Sequence, residues 1–477
     1  MFTTQRRTRP HTAAAAGQRA EHHQGLPLAA GARVGVVGGG PAGSFFALFL
    51  LDIAQRVGLD LQVDVFEPKD FGQPGPLGCN MCGGVVSESL VQALATEGIL
   101  LPPTVVERGI DSYVLHTDVG VVRIPTPLDE LRIAAVHRGA GPRGIPQRKW
   151  RSFDGYLLEL AVRKGARVIR TRIEEVGPSA DRLQARSRDG SEWTYDLVAI
   201  TTGIKTGSVR LSPALGLRYR PPRAARTYIS EFYFGEERLA RRFGHAMHVF
   251  LLNLPRLEFA ALIPKGDYLT FCLLGWEIDD ALVESFFQAP EVRACLPPGW
   301  ERPAHFCHCR PCLNVGGTVE PFADRMVFIG DCGVSRLYKD GIGAAYRAAK
   351  AAAVTAVFEG VSAEAFRRHY WPVCRALARD NRAGHLIFSL TRLLQRWRFA
   401  RCGLLRLVQR EQQRTAGRRR MSEALWDTFT GSSSYANVVR RAAHPGCWGA
   451  LLWETLAGLR RGGVQVQSTP PLCTPET

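Results

Sequence analysis

The sequence has few lysines, few cysteines and no long apolar run, and each shortage excludes a class of protein. Only seven of its 61 basic residues are lysines, so the arginine excess is a compositional bias and a single arginine carries little information. Twelve cysteines in 477 residues are too sparse for a secreted disulfide scaffold, which predicts a reducing, cytoplasmic location. The best apolar segment, residues 42–53, is shorter than the roughly 18 residues that a membrane-spanning helix needs and contains Asp52. The sequence therefore predicts no such helix.

The composition is otherwise ordinary for a folded chain, and the net charge of +17 is unevenly distributed. With 45% hydrophobic and 22% charged residues, the sequence excludes a disordered protein and predicts two or three domains of roughly 150 residues. Residues 381–420 carry a net +10 and residues 1–30 a net +3, so the other 407 residues carry only +4. This nearly neutral body predicts no nucleic-acid partner. Residues 1–30 are predicted to be a disordered leader, with a transit-like peptide as the alternative.

A glycine-rich turn near the start of the chain has the context of a dinucleotide-binding site. Residues 38–43 read Gly-Gly-Gly-Pro-Ala-Gly, follow the β-branched strand 33–37 and open a helical stretch over 43–57. The first glycine permits the tight turn, the second lets the main chain approach a pyrophosphate, and the third lets helix and strand pack closely. An acid ending the next strand can bind both ribose hydroxyls, which favours FAD or NAD over NADP. The candidate residues are Gly38, Gly40, Pro41, Ala42, Gly43 and Glu67.

A second glycine motif, far along the chain, selects FAD over NAD. The apolar strand 326–329 ends in Gly-Asp, which places a carboxylate where it can bind a ribityl hydroxyl. The segment 338–343 then opens an Ala-rich helix over 344–358, whose positive N-terminal end would face the flavin C2 carbonyl. The candidate residues of this element are Gly330, Asp331, Gly341 and Gly343.

With both glycine motifs, residues 31–360 resemble the FAD-dependent oxidoreductases of the geranylgeranyl reductase and aromatic-hydroxylase superfamily. Residues 82–87 (Cys-Gly-Gly-Val-Val-Ser), 153–157 (Phe-Asp-x-x-Leu) and 262–267 (Leu-Ile-Pro-Lys-Gly-Asp) are similar to geranylgeranyl reductase segments. The sequence departs from the hydroxylases at 201–203, where Thr-Thr-Gly replaces their Asp-Gly motif. It also lacks a Pro near Tyr338 and the Trp-x-Trp-x-Ile-Pro motif of flavin halogenases, so we expect no halogenation.

The resemblance implies an α/β fold in which an FAD-binding, doubly wound (Rossmann-like) domain carries an inserted antiparallel β-sheet substrate domain. We assign residues 31–110, 141–210 and 318–360 to the FAD-binding domain, and residues 111–140 and 211–317 to the substrate domain. Residues 361–477 form a helical, basic C-terminal region. The resemblance also implies that Cys82 is the thiol nearest the flavin, which makes it the candidate catalytic residue.

Two short cysteine clusters, 79–82 and 307–312, should both approach the flavin if the fold is correct. Three interpretations remain open: ordinary thiols beside a pocket, a Cys-x-x-Cys pair exchanging electrons with flavin, or a four-thiolate zinc or iron–sulfur site. His305 and His308 are alternative ligands. The cysteines of the four-thiolate arrangement would be Cys79, Cys82, Cys309 and Cys312.

The basic segment 386–410 has a helical apolar periodicity with arginines largely around it. Such a helix either packs on the FAD-binding domain or lies on an anionic membrane surface as a peripheral contact, and a lipophilic substrate would favour the membrane. The apolar positions are Leu386, Leu390, Leu393, Trp397, Ala400, Leu404 and Val408.

These observations predict an FAD-dependent oxidoreductase that transfers hydride from reduced flavin to a C=C bond of a small apolar, isoprenoid-like substrate. The reductant would be NAD(P)H docking transiently, an electron-carrier protein or a quinone, because the chain has one dinucleotide fingerprint. Three alternatives stay open: a flavin monooxygenase, a membrane-associated electron-transfer flavoprotein with a cysteine-ligated cluster, and a non-enzymatic flavin-bearing interaction protein.

Overall fold

A computed structural model describes residues 26–80, 83–127, 133–143, 150–204, 206–414 and 417–460. In chain order its strands are β1 (Ala32–Val37), β2 (Leu61–Phe66), β3 (Val85–Val86), β4 (Val106–Ile110), β5 (Ser112–Thr117), β6 (Gly120–Pro125), β7 (Ile133–Val136), β8 (Arg167–Ile169), β9 (Ile173–Ser179), β10 (Arg182–Ser187), β11 (Glu192–Tyr195), β12 (Leu197–Ile200), β13 (Arg210–Leu211), β14 (Ala224–Arg226), β15 (Tyr228–Tyr233), β16 (Ala246–Phe250), β17 (Leu257–Lys265), β18 (Tyr268–Gly275), β19 (Cys307–Cys309), β20 (Cys312–Asn314), β21 (Phe322–Ala323) and β22 (Met326–Phe328).

The helices alternate with strands in the first two thirds of the chain and follow one another in the last third. The α-helices of four or more residues are α1 (Pro41–Arg56), α2 (Glu88–Thr96), α3 (Phe153–Arg163), α4 (Glu236–Phe243), α5 (Asp280–Gln288), α6 (Pro290–Arg293), α7 (Gly341–Phe358), α8 (Trp371–Arg396), α9 (Arg398–Gln412), α10 (Arg420–Thr430), α11 (Tyr435–Ala442) and α12 (Pro445–Arg460). None of the helices within the described ranges combines the length and apolarity needed to span a membrane.

A six-stranded sheet in the order β21-β22-β12-β1-β2-β8 forms the centre of the first domain. Neighbouring strands of this sheet pair in parallel, except that the edge strand β21 pairs antiparallel with β22. Because side chains alternate along a strand, Val34 and Val36 of β1 face one side, where α1, α3 and α7 cover the sheet. Val37 and Val198 face the other side and pack against Val176, which belongs to the four-stranded sheet β11-β10-β9-β13. That second face is therefore covered by strands, whereas a doubly wound sheet is usually covered by helices there.

A larger, mostly antiparallel sheet, β19-β15-β18-β17-β16-β5-β6, forms the predicted second unit. Its two faces pack into different apolar clusters. The face with Ile229, Ile263 and Cys272 joins a core shared with the C-terminal helices, and we call it the inner face. The opposite face, with Phe232 and Phe250, packs against α4, α5 and α6, and we call it the outer face. Chemistry at the flavin motifs can involve only the inner face, because the outer face is covered by its own helices.

The C-terminal region is helical as predicted, but the single apolar helix face predicted over 386–408 is wrong. The helix ends at Arg396, and Trp397 has extended backbone angles (φ −105°, ψ 109°) before α9 begins. After this break Leu404 and Val408 are buried in the core, whereas the predicted apolar positions before the break, and Trp397 at the break, face solvent. The exposed residues are Leu386, Leu390, Leu393 and Trp397.

Candidate functional site

The three glycines of the first motif occupy three different environments at the start of α1. Gly38 has φ +110°, and a Cβ there would lie 2.8 Å from the main-chain oxygen of Thr201. A Cβ on Gly43 would collide with the main-chain oxygen of Gly38. A Cβ on Gly40 would meet only a guanidinium nitrogen of Arg138, at 3.9 Å. The first and third glycines are therefore required by the fold, whereas the second leaves open space at the N-terminus of a helix, where anions bind.

Glu67 directly follows β2 and its carboxylate reaches back to the glycine turn. One oxygen accepts a hydrogen bond from the Gly39 N–H at 2.8 Å and the other from the Lys69 N–H at 2.9 Å. Burial raises the pKa of Glu67, and these main-chain hydrogen bonds oppose that shift. Each carboxylate oxygen has a second lone pair, so the group can still accept hydrogen bonds from a diol. The ribose-binding role of Glu67 stays a prediction, and these contacts leave acceptor positions free for it.

A polar network that the sequence did not reveal lies beside this turn. Arg138 donates two hydrogen bonds to the fully buried carboxylate of Asp154, at 2.9 and 2.7 Å. Asn80 donates to the same carboxylate at 2.8 Å, and the Lys69 amine donates to Asn80 at 2.6 Å. The network holds one guanidinium next to the open side of Gly40. A planar guanidinium held in this way is suited to a phosphate group.

The second glycine motif meets the first in space. Gly330 has φ +80°, and a Cβ there would lie 2.8 Å from the Cβ of Ala42 in the first turn of α1. Burial raises the pKa of the neighbouring Asp331, while a hydrogen bond from Ser335 and the charge of Arg138 oppose the shift. The structure therefore brings together both predicted nucleotide motifs, and Arg138 lies within electrostatic range of each.

The loop before α7 is strained around one lysine. Tyr338 and Asp340 both have left-handed backbone angles, φ +58° and +55°, which cost non-glycine residues on the order of 1 kcal/mol each. Lys339 lies between them. A Cβ on Gly343 would collide with the Asp340 carboxylate, so Gly343 is required by this loop conformation. The loop is held in a conformation that its own sequence disfavours, a feature that is concentrated at functional sites.

Gly341 opens α7 and faces the second motif. A Cβ at this position would lie 3.5 Å from the Ser335 hydroxyl and 4.0 Å from Asp331 Oδ1. The hydroxyl of Ser87 donates a hydrogen bond to Asp340 at 2.8 Å and so joins residues 83–87 to this loop. The helix N-terminus, the strand-end carboxylate and this segment therefore surround one region.

The inner face of the large sheet completes that region. A Cβ on Gly83 would lie 3.6 Å from the Ile263 side chain and 3.8 Å from the Cys272 sulfur. The Lys339 amine lies 4.4 Å from the centre of the Phe259 ring. Burial lowers the pKa of Lys339 to about 8, and the nearby Cys272 thiol opposes the shift. An apolar surface with one amine thus faces the flavin motifs, and this amine is a candidate proton donor that the sequence motifs did not identify.

A buried ion pair lies further along the same face. Lys265 and Glu231 are 3.3 Å apart, and Thr270 donates to the same carboxylate at 2.9 Å. Burial acts to raise the pKa of Glu231, but the Lys265 charge and these hydrogen bonds outweigh it, so the pKa is lowered. His137 lies 3.6 Å from Glu231, and burial lowers the pKa of His137 to about 4. Lys265 is the lysine of the segment 262–267, and its amine is paired with the Glu231 carboxylate.

The predicted four-cysteine metal site is not formed by its three described members. Cys309 lies on β19, which pairs with β15, whereas Cys312 lies on β20, which pairs with β14 in another sheet. Within the described ranges, neither these two with Cys79 nor the alternatives His305 and His308 form a group of three ligands within 4.8 Å. The chain changes sheet between Cys309 and Cys312, so the two cysteines are not held on one strand pair. Cys82 lies outside the described residues, so its role near the flavin stays a prediction.

The fold and the two joined glycine motifs define the architecture of FAD-binding flavoproteins, which confirms the predicted fold class. The chain matches the flavin-dependent brominase Bmp2 with a TM-score of 0.56, covering 90% of this chain and 98% of that one at 13% identity. It matches a variant of the halogenase PltM in complex with FAD with a TM-score of 0.55, covering 89% and 96% at 12% identity.

A variant of 2-methyl-3-hydroxypyridine-5-carboxylic acid oxygenase gives a TM-score of 0.50, with 77% of this chain and 94% of that one covered at 14% identity. No protein-family model and no curated protein matches the sequence. At these identities the likeness establishes a shared fold, and the reaction must be argued from this chain's own residues.

Proposed function

We propose that the protein is an FAD-dependent oxidoreductase that reduces C=C bonds of an apolar, isoprenoid-like substrate. The observation that carries the proposal is the convergence of Gly40, Glu67, Arg138 and Asp331 with the strained loop around Lys339. When bound, FAD supplies hydride chemistry at its flavin ring. The neighbouring structures named above, a flavin-dependent brominase and a halogenase in complex with FAD, support the choice of cofactor.

The residues present fit FAD along its whole length. Glu67 would bind the adenosine ribose, Gly40 and Arg138 the pyrophosphate, and Asp331 the ribityl chain. The start of α7 at Gly341 would face the pyrimidine end of the flavin. The buried hydroxyl of Thr202 has no hydrogen-bond partner among the described residues, which is consistent with a site built for a ligand.

The substrate proposal rests on the inner face of the large sheet. Ile229, Ile263 and Cys272 are apolar, which suits a hydrocarbon, but each is at most 5% exposed and packs against the C-terminal helices, so a substrate would have to displace that packing to reach them. Lys339 would hold the proton that completes saturation of a double bond, since its amine faces this surface and its lowered pKa allows it to release a proton. Cys82 remains the thiol proposed to lie nearest the flavin, next to Gly83.

The test is a single turnover of the full chain, loaded with FAD and reduced without oxygen. Mixing with a polyprenyl alkene should reoxidise the flavin and add two hydrogens to the alkene, as product mass shows. Reduction of the oxidised flavin by NAD(P)H, a quinol or a reduced carrier protein, tried in parallel, identifies the electron donor. A reduced flavin that no alkene reoxidises would contradict the proposed reduction of C=C bonds.

A flavin monooxygenase is the second candidate, because one fold neighbour is an oxygenase. The single-turnover test separates the two reactions: a monooxygenase yields product only with O₂, and the product gains one oxygen atom. Halogenation remains unexpected despite the halogenase neighbours, since the sequence lacks the Trp-x-Trp-x-Ile-Pro motif.

We also propose that an exposed apolar surface on the C-terminal helices contacts a membrane. At the break between α8 and α9, Trp397 and Phe399 stack at 5.4 Å and are each more than 40% exposed, next to the exposed Arg396 and Arg398. The combination of aromatic and cationic side chains suits an anionic bilayer. Further exposed apolar residues on these helices are Leu386, Leu390, Leu393, Trp448, Leu452, Trp453 and Leu456.

Vesicle co-sedimentation tests this contact. Binding to vesicles with an anionic lipid should fall at least about tenfold in the double variant Arg396→Glu/Arg398→Glu, because each basic residue near such a surface contributes roughly 1 kcal/mol. The exposed Arg186→Glu on β10 is the matched control. Equal vesicle binding by the wild type, the double variant and Arg186→Glu would exclude a membrane contact through this surface.

A further inference from the structure

Two histidines and a cysteine form a compact buried cluster on the outer face of the large sheet. His116 lies on β5, His248 on the neighbouring strand β16, and Cys295 just after α6. All three are buried, with 6%, 6% and 7% of their surface exposed. The cluster is separate from the candidate flavin region, because that region borders the inner face.

The distances within the cluster match those between the ligands of one tetrahedral ion. Nε2 of His116 and Nδ1 of His248 are 3.0 Å apart, and the Cys295 sulfur lies 3.7 and 3.6 Å from these two nitrogens. For zinc bonds of about 2.0 Å to nitrogen and 2.3 Å to sulfur, tetrahedral geometry gives about 3.3 Å between nitrogens and about 3.5 Å between nitrogen and sulfur.

The surroundings hold the three side chains in place. The His116 ring stacks on Phe250 at 4.6 Å, and the His248 ring contacts Phe243 edge-on at 4.8 Å. The segment carrying the cysteine is fixed by Arg242, which donates hydrogen bonds of 2.7–2.9 Å to the main-chain oxygens of residues 294, 295 and 296. Preorganisation of this kind lowers the cost of binding an ion.

Hydrogen bonding alone leaves the cluster incompletely satisfied. One histidine nitrogen must donate to the other across 3.0 Å, and the remaining nitrogen of His248 is buried with no partner among the described residues. The Cys295 sulfur lies 3.4 Å from the main-chain oxygen of Glu291 and 3.6–3.9 Å from three histidine nitrogens, and its one proton can be donated to only one of these four acceptors. Two imidazoles and a thiol with unused lone pairs at these distances are the donor set that zinc prefers.

We propose that His116, His248 and Cys295 bind one zinc ion, with the main-chain oxygen of Glu291 or a water molecule as the fourth ligand. On binding, the Cys295 S–H proton passes to solvent as the zinc–sulfur bond forms, and both imidazoles stay neutral. The ion would fasten the segment after α6 to two strands of the sheet. Its role is structural, since it lies on the face turned away from the flavin motifs.

Metal analysis of the full chain tests the site directly. After chelation, incubation with Zn²⁺ and gel filtration, the wild type should retain about one zinc ion per chain and Cys295→Ala less than about a fifth of that. Cys447→Ala, which removes another buried cysteine, is the matched control and should retain the ion. Equal zinc content in wild type and Cys295→Ala would overturn the proposal.

A measurement on the wild type alone covers the case in which Cys295→Ala does not fold. X-ray absorption at the zinc edge should give one sulfur and two imidazole nitrogens in the first shell. A shell without sulfur, or with several sulfurs, would overturn the proposal, because the described cluster offers only one thiol. Flavin content should be unaffected by zinc removal.

Discussion

The substitution Gly40→Ala separates the binding of a pyrophosphate from the stability of the fold. An added methyl group at Gly40 meets no atom closer than 3.9 Å, and its backbone angles, φ −68° and ψ −173°, suit any residue. The unliganded protein should therefore keep its stability within about 1 kcal/mol, the usual range for a Gly-to-Ala change at a compatible site. The same methyl group occupies the space through which a pyrophosphate would approach the helix N-terminus.

The expected loss of affinity follows from the hydrogen bonds at stake. A hydrogen bond from the main chain to a charged phosphate contributes about 1.5–3 kcal/mol, so displacing one weakens FAD binding by about 10- to 150-fold. Gly43→Ala is the contrasting case, because its methyl group collides with the Gly38 oxygen and should prevent stable folding. Gly449→Ala, which also faces open space, is the neutral control.

Titration of the unliganded protein with FAD by fluorescence quenching gives the dissociation constants, and urea unfolding gives the stabilities. The reasoning predicts a folded Gly40→Ala with weakened binding, a folded and normally binding Gly449→Ala, and an unstable Gly43→Ala. A folded Gly40→Ala that binds FAD within twofold of the wild type would refute the placement of the pyrophosphate.

Three further predictions concern single side chains. Glu67→Gln should weaken FAD binding about tenfold or more in the same titration, because an amide has one acceptor oxygen where the carboxylate has two. The rate of substrate reduction should fall as pH rises above about 8, where Lys339 loses its proton, and Lys339→Met should be about 100-fold slower without this dependence. Since the pKa of His137 is lowered to about 4 in the folded state, stability should fall as pH drops from 6.5 towards 4, by about 3 kcal/mol from this group. Urea unfolding at pH 7.5 and 4.5 should show a smaller loss of stability in His137→Gln than in the wild type. An equal loss in both proteins would exclude His137 as its cause.

Much of the fold was predictable because its signals are local. The strand, glycine turn and helix over 32–56 lie next to one another in sequence, and so do the strand end at Gly330 and the helix after Gly341. Glycine spacing and β-branched runs identify such units without knowledge of the rest of the chain. Their meeting in space, Gly330 against Ala42, follows from the fold once the parallel sheet is assigned.

The missed features depend on contacts between distant segments. Arg138 follows a short strand with no motif, and only its ion pair with Asp154 places it beside Gly40. The low pKa of Lys339 arises from burial, which the sequence of its loop does not show. The break at Trp397 escaped detection because the apolar spacing continues across it.

The cysteines show the same limit, that sequence spacing does not reveal contacts between distant segments. Short spacing suggested a shared site for Cys79, Cys82, Cys309 and Cys312, but strand pairing assigns the last two to different sheets. The cluster of His116, His248 and Cys295 has no sequence signature, since its members come from two strands and a turn far apart in the chain. Metal-ligand spacing is informative only when one loop supplies most of the ligands.

The central claim, that this fold holds FAD for redox chemistry, is tested most directly by the visible absorption spectrum of the full chain after incubation with FAD and gel filtration. We predict a yellow protein with about one FAD per chain, whose flavin band is bleached by dithionite. A folded protein that stays colourless after excess FAD has been supplied would contradict the account.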